Sequence, residues 1–178
     1  MLKGLSAKPK GGAIKQKQQA KGQPSVDDFL SKRDYTGALA LLEFKLRCQD
    51  GDMKDLLMWI GYCAFHLGNF HRAEEAYKEL FDAYPVGDEI YLYQACCYFY
   101  QQMYEEAEKS AQKGPTSELK TRLLFNIAHR TGDEDTLMHY HSALKDRKAD
   151  QLSLAAVHYL RSHHQEVSLA CSSSSFSS

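Results

Sequence analysis

The sequence predicts an all-α fold, an α-solenoid of antiparallel helix pairs, and two observations carry that expectation. Apolar residues recur at helical spacing from Pro24 onward, while alternating runs joined by hairpin signals are missing. The second observation is an internal repeat of 34 residues, a period typical of stacked helix pairs. Each pair can bury its apolar face only against its neighbours, so we expect a stacked array.

Composition excludes several classes of protein. The chain has 178 residues, 43% of them hydrophobic, and its mean hydropathy of −0.52 is that of a soluble globular protein. The longest apolar runs, residues 56–65 and 90–93, are far shorter than the ~20 residues of a membrane span, so we expect no membrane insertion. Five cysteines without paired spacing favour free thiols in a reducing compartment.

Residues 1–24 form a basic leader. The segment holds six lysines and no acidic residue, so it carries +6 and leaves −7 for the rest of the chain. Its apolar residues are too sparse to offset the entropy of ordering, which predicts a disordered tail. A basic arm could contact nucleic acid or acidic tubulin tails. No aromatic side chain interleaves the lysines to stack on bases, so we favour a solvated leader with no nucleic-acid partner.

The helical elements follow in order. Residues 26–47 fit two short helices interrupted near 34–37, where a glycine and polar residues indicate a turn. Two full helix pairs occupy residues 54–87 and 88–121. A third, less regular pair begins near Leu123, breaks at 131–133 and runs to Leu144. Another helix opens at Leu152, where part of a further unit begins.

The internal repeat is the strongest signal in the chain. Shifting residues 54–87 by 34 positions aligns Gly61 with Ala95, Cys63 with Cys97, Phe65 with Phe99, Phe70 with Tyr104, Ala73 with Ala107 and Glu74 with Glu108. Small and large residues at these offsets are those of the tetratricopeptide repeat.

Four positions in the first full helix pair have a structural role that their residue type explains. Gly61 is small where two helices approach closely, and Tyr77 fills the space behind the pair. Gly68 ends the first helix of the pair in a conformation with positive φ, and Pro85 stops the second helix. The fold class is therefore a tetratricopeptide-repeat-like solenoid.

Several segments resemble one family more closely. Residues 57–68, LMWIGYCAFHLG, are similar to the tetratricopeptide-repeat subunit of intraflagellar transport complex B, the family of intraflagellar transport subunit fifty-six. The same likeness is carried by residues 30–38, 41–45, 122–125 and 150–155, and it covers roughly residues 25–166. It implies a non-enzymatic subunit of the particle that carries cargo along ciliary microtubules. The implied location is the cilium, the ciliary base or basal body, and the cytoplasm.

The chain departs from that family after Glu166. Residues 167–178 are a divergent serine-rich tail in place of the expected continuing helix, which is typical of a shortened form. We therefore divide the chain into the leader, a repeat domain at 25–166 and this tail.

The histidine, cysteine and acidic residues of the sequence do not form a pattern typical of a catalytic or metal site. His158 with His163 and His164, or His139 with His141, could suggest a metal, but His139 and His141 lie on different sides of a helix. Cys96 and Cys97 are best interpreted as small core residues. The acidic runs at 105–106 and 133–135 sit at helix starts, where carboxylates favour the helix dipole. We expect no enzyme activity, no cofactor and no metal.

Binding is the expected mechanism. In tetratricopeptide proteins the first helix of each pair lines a concave groove that accepts a partner helix. By register with the repeat, the groove residues are Met58, Tyr62, Phe65, His66, Leu92, Phe99, Tyr100, Arg122, Asn126 and Arg130. Some of these could instead belong to the core.

The resemblance implies other complex B subunits and ciliary cargo proteins as partners. The alternative is a chaperone adaptor or another cytosolic tetratricopeptide module. Chaperone adaptors grip a carboxylate with Lys and Asn, and only Arg122 and Asn126 offer that chemistry here.

Overall fold

The structure is a computed structural model that describes residues 25–144, 150–151 and 154–160. Within these residues it is all-α, which confirms the predicted tetratricopeptide-like class, and residues 154–160 are also helical. The basic leader and the serine-rich tail lie outside the described residues. The helices are α1 Val26–Ser31, α2 Tyr35–Arg47, α3 Met53–His66, α4 Phe70–Ala83, α5 Glu89–Tyr100, α6 Tyr104–Lys113, α7 Glu118–Thr131 and α8 Glu134–Leu144.

The chain folds into two compact bodies that meet in sequence at Pro115 and Thr116. The first contains α1–α6 as three helix pairs, with short connections at 32–34, 67–69 and 101–103. Within it, α2 packs on α3 and α4 packs on α5, so each pair covers its neighbour. The second contains the pair α7–α8 and the helical residues 154–160, whose Leu154 and Val157 join the same buried cluster. None of the described helices is long and apolar enough to cross a membrane.

Side-chain caps fix where many of the helices begin. Ser25 and Asp28 form a reciprocal capping box at the start of α1. The side chains of Asp34, Asp52, Asn69 and Ser117 each accept a backbone N–H in the first turn of α2, α3, α4 and α7. These caps satisfy donors that have no partner inside the helix, which explains why the polar interruptions of the sequence mark the boundaries.

The turn inside each helix pair uses a left-handed residue. Gly68 has φ 79° and Gly132 has φ 76°, so the expected role of Gly68 is confirmed. The equivalent turns of the other two pairs place Arg33 at φ 57° and Gln102 at φ 65°. A side chain strains this conformation, so the repeat geometry imposes a turn that the local sequence does not favour.

Gln102→Gly is therefore expected to stabilise the first body by about 0.5–1 kcal/mol, because glycine adopts positive φ without strain. Gln101→Gly is the control in the same turn, since Gln101 has φ −82° and glycine relieves no strain there; this change also removes the hydrogen bond from Gln101 Nε2 to Glu74. Urea unfolding of both variants measures the difference. A lower stability for Gln102→Gly would contradict the explanation.

Gly61 lies where α3 and α4 approach closely, as the sequence predicts. A Cβ placed on Gly61 would lie 2.5 Å from Cε1 of Tyr77, whose ring is 1% exposed. Tyr77 therefore occupies the space that a side chain at position 61 would need, and burial raises its pKa well above the usual range. The hydroxyl stays neutral, as a residue of the helix-pair core must.

The buried cysteines are core residues, which agrees with their interpretation from sequence. Cys63, Cys96 and Cys97 are buried in the first body and carry free thiols. Burial raises the pKa of Cys63 and of Cys96 to about 12, and it raises that of Cys97 as well. Thiols held in the protonated form react slowly, because the thiolate is the nucleophile.

Alkylation of the native protein is therefore expected to distinguish the exposed Cys48 from the three buried cysteines. Cys48 is exposed and reacts readily in the native protein, whereas Cys63, Cys96 and Cys97 react only after unfolding. The measurement is mass spectrometry after iodoacetamide treatment of a Cys171→Ser background, with urea-unfolded protein as the control. Rapid native labelling of Cys97 would contradict its burial.

Candidate protein-binding surface

A continuous band of aromatic rings runs through the first body. Every ring in it has its centroid within 6.1 Å of another, and the rings come from five successive helices, α2 to α6. We name this set the aromatic band: Tyr35, Trp59, Tyr62, Phe65, His66, Phe70, Phe99, Tyr100 and Tyr104. Such ring pairs add stability beyond the area they bury, so the band holds its exposed members in fixed positions.

The first part of the band joins α2 to α3. Tyr35 stacks on His66, with centroids 4.7 Å apart and planes within 11°. Tyr62 meets His66 edge-on at 4.4 Å. Burial, reinforced by neighbouring Tyr35, raises the pKa of Tyr62 to about 12. The buried Tyr62 ring thus supports an exposed imidazole.

The second part joins α3, α4 and α5. Phe70 stacks on Tyr100 at 4.7 Å with planes within 12°, and Phe65 meets both rings edge-on at 5.3 and 5.5 Å. Tyr100 remains 37% exposed, while Phe65 is largely covered. Leu67 and Met103, in the adjoining turns, are 42% and 38% exposed. The edge of the first body that carries these turns is therefore apolar and open.

The positions of the band repeat along the chain. Tyr35, Phe70 and Tyr104 are each the first residue of the second helix of a pair. Phe70 matches Tyr104 in the repeat and Tyr35 lies in the segment 30–38, but none of the three is among the predicted groove residues. The recurring aromatic at the start of α2, α4 and α6 was the signal that could have found them.

The structure divides the predicted groove residues of the first body by exposure. His66 and Tyr100 are exposed, and Met58 and Phe99 are half-buried. Tyr62 and Phe65 are buried beneath the exposed rings of the band. The exposed and half-buried residues are accessible to a partner, and the buried ones support them from below.

Leu92 requires a correction. It is 3% exposed, and a Cβ on Gly114 would lie 2.5 Å from its Cδ2. Leu92 therefore packs inside the pair α5–α6, where Gly114 makes room for it, and it offers no surface to a partner.

Arg122 also requires a correction. Its side chain is buried in the second body, where Nε donates to Oδ1 of Asp150 and Nη2 donates to Oε2 of Glu118 at 3.0 Å. Asp150 is fully buried and its other oxygen, Oδ2, meets no hydrogen-bond partner among the described residues. The guanidinium is therefore committed to a structural ion pair and does not line a groove.

The remaining two predicted residues lie on α7 beside Arg122. Asn126 is half-buried, and its Nδ2 donates to the carbonyl oxygen of Arg122 at 2.7 Å. Arg130 is exposed at the last turn of the helix. Of the three residues predicted on α7, Arg130 is thus the exposed one.

Successive helix pairs, a left-handed turn inside each pair and a glycine facing a buried tyrosine define a tetratricopeptide-repeat protein. A sequence model described as "Tetratricopeptide repeat" matches residues 25–85. The model described as "Intraflagellar transport protein 56" matches residues 57–169, more than half of the chain. The chain belongs to the intraflagellar transport protein 56 family.

A curated relative is consistent with this assignment. The chain is 37% identical over 169 residues to the intraflagellar transport protein 56 homolog of Caenorhabditis elegans. The aligned region covers 93% of this chain and 29% of that relative.

Proposed function

We propose that this chain is a non-enzymatic scaffold subunit of the intraflagellar transport B particle. It supports cilium assembly and the transport of motility-related ciliary cargo through protein–protein binding. Its place of action is the cilium, the ciliary base or basal body, and the cytoplasm. Membership of the intraflagellar transport protein 56 family supports this proposal.

The aromatic band is the observation that carries the binding mechanism. Its exposed members, His66 and Tyr100, stand beside the exposed Leu67 and Met103 of the turns. Tyrosine is among the residues that contribute most to binding energy at interfaces, particularly when neighbouring rings hold it rigid. A helix of another complex B subunit or of a cargo protein, with apolar residues along one face, is the partner that fits this surface.

The ion pair in the second body weakens the alternative of a chaperone adaptor. That alternative needs a cationic side chain free to hold a carboxylate, and Arg122 was its principal candidate. Because Arg122 already binds Asp150 and Glu118, a peptide carboxylate would have to displace a buried partner. A scaffold that binds partners through the aromatic band does not need a free cationic side chain at Arg122.

The experiment is co-precipitation from ciliated cells with the full chain as bait. We expect complex B subunits to be recovered, and we expect His66→Ala combined with Tyr100→Ala to reduce their recovery at least roughly tenfold. Phe44→Ala is the matched control, because Phe44 is an exposed aromatic, 59% accessible, that lies outside the aromatic band. Recovery of chaperones in place of complex B subunits would favour the adaptor. Undiminished recovery by the double variant would place the binding surface elsewhere.

A further inference from the structure

Two histidines from different helices meet in the second body. Nε2 of His141, on α8, lies 3.1 Å from Nε2 of His158, in the helical residues 154–160. Their ring planes are almost perpendicular, at 85°, and the ring centroids are 5.2 Å apart. His158 is exposed and His141 is half-buried, so solvent reaches the pair. We propose that His141 and His158 form a binding site for a divalent transition-metal ion of the Zn²⁺ and Cu²⁺ class.

The spacing of the two nitrogens supports this site. Zn²⁺ binds imidazole nitrogen at about 2.0–2.1 Å in tetrahedral geometry, which places two coordinating nitrogens about 3.3 Å apart. The observed separation of 3.1 Å differs from that by only a few tenths of an ångström. Binding therefore needs only small rotations of the two rings. The ion takes the place of the Nε2 proton of the donor ring, and that ring carries its proton on Nδ1 instead, so both Nε2 lone pairs face the ion.

The donor set determines which ion fits and how tightly it binds. Imidazole suits Zn²⁺, Ni²⁺ and Cu²⁺, whereas Mg²⁺ and Ca²⁺ prefer oxygen ligands. Among the described residues no group of three or more histidine, cysteine or acidic side chains converges on one point. The two imidazoles thus supply part of the coordination sphere and water completes it. Affinity should follow the order Ni²⁺ < Cu²⁺ > Zn²⁺ expected for nitrogen ligands.

Metal binding would join two elements that the chain separates by 17 positions. Residues 154–160 are held to the second body by Leu154 and Val157 and by the Asp150–Arg122 pair. A metal ion bridging His141 and His158 adds a link between these residues and α8. The sequence predicts no metal site, because spacing compares histidines that are close in the chain and does not align residues on different helices.

The test is a titration of the untagged, chelator-treated full chain with Zn²⁺ and, separately, with Cu²⁺. We expect one ion per chain by calorimetry, and nitrogen hyperfine structure in the Cu²⁺ paramagnetic resonance spectrum. His141→Gln and His158→Gln should each weaken binding at least roughly tenfold. His139→Gln is the matched control, because His139 is exposed on α8 and its ring lies against Tyr140 instead of His158. Circular dichroism of each variant verifies that the helices remain.

A second measurement distinguishes metal binding at His141 and His158 from weak binding to other histidines of the chain. Saturating Zn²⁺ should slow hydrogen exchange in residues 154–160 of the wild type and leave exchange unchanged in His158→Gln. Binding by both glutamine variants at wild-type strength would overturn the proposal. So would a loss of binding that requires replacement of His163 and His164 while His141→Gln and His158→Gln bind normally.

Discussion

Gly61→Leu is expected to unfold or severely loosen the first body. Even the Cβ of the new side chain would overlap the Tyr77 ring at 2.5 Å, and that ring is fully enclosed. Overpacking of this kind costs about 3 kcal/mol or more where neither partner can move. For a domain of this size such a loss lowers Tm by more than about 10 °C. Thermal melting followed by circular dichroism at 222 nm measures it.

Two further variants establish the cause of that loss. Gly87→Ala is the matched control, since a Cβ there meets no atom within 4 Å and its melting should match the wild type. Gly61→Ala combined with Tyr77→Leu should cost less than the sum of the two single changes, because a smaller residue relieves the overlap. An unchanged midpoint for Gly61→Leu would mean that α3 and α4 do not approach at this position.

Arg122→Met is expected to destabilise the second body by about 3–5 kcal/mol. The change leaves the carboxylate of Asp150 buried without its cation, and an uncompensated buried charge is costly. Residues 154–160 should then exchange their amide hydrogens faster, because the backbone carbonyl of Asp150 accepts the N–H of Leu154 at 3.0 Å at the start of this helical segment. Hydrogen exchange followed by mass spectrometry reports the effect on α7 and on residues 154–160 separately.

The double variant Arg122→Met with Asp150→Leu distinguishes a charge effect from a packing effect. Replacing both partners by apolar residues of similar volume removes the buried charges together, so most of the lost stability should return. Glu118→Gln is the milder control, because Glu118 is 58% exposed and its bond to Arg122 is partly screened by solvent. A double variant no more stable than Arg122→Met would show that the ion pair is not the source of the effect.

Local features of the fold could be predicted because neighbouring residues encode them. The helical spacing, the turns at Gly68 and Gly132 and the small residue opposite Tyr77 all follow from patterns within one helix pair. The 34-residue repeat reinforced these signals by presenting them twice. The left-handed turns at Arg33 and Gln102 carry no glycine, so stacking of the pairs and not local preference determines them.

The features that could not be predicted join residues far apart in the chain. Arg122 has the chemistry of an anion-binding residue, and only the position of Asp150, 28 residues later, reveals that its role is structural. Leu92 is buried against Gly114, 22 residues later at the end of α6, where the missing side chain leaves space for it. Register with a repeat assigns a residue to a helix face, but the rotation of that helix against its neighbours decides which part of the face is covered.

The placement of Trp59 gives the protein an internal optical reporter. It is the one tryptophan of the chain, it is 7% exposed, and its ring lies 5.6 Å from Tyr62 in the aromatic band. Its emission therefore senses the packing of α3 and the energy transferred from neighbouring tyrosines. Trp59 emission thus reports on the first body, whereas the total helical signal reports on both. Emission and circular dichroism recorded together therefore distinguish the unfolding of one body from that of the other.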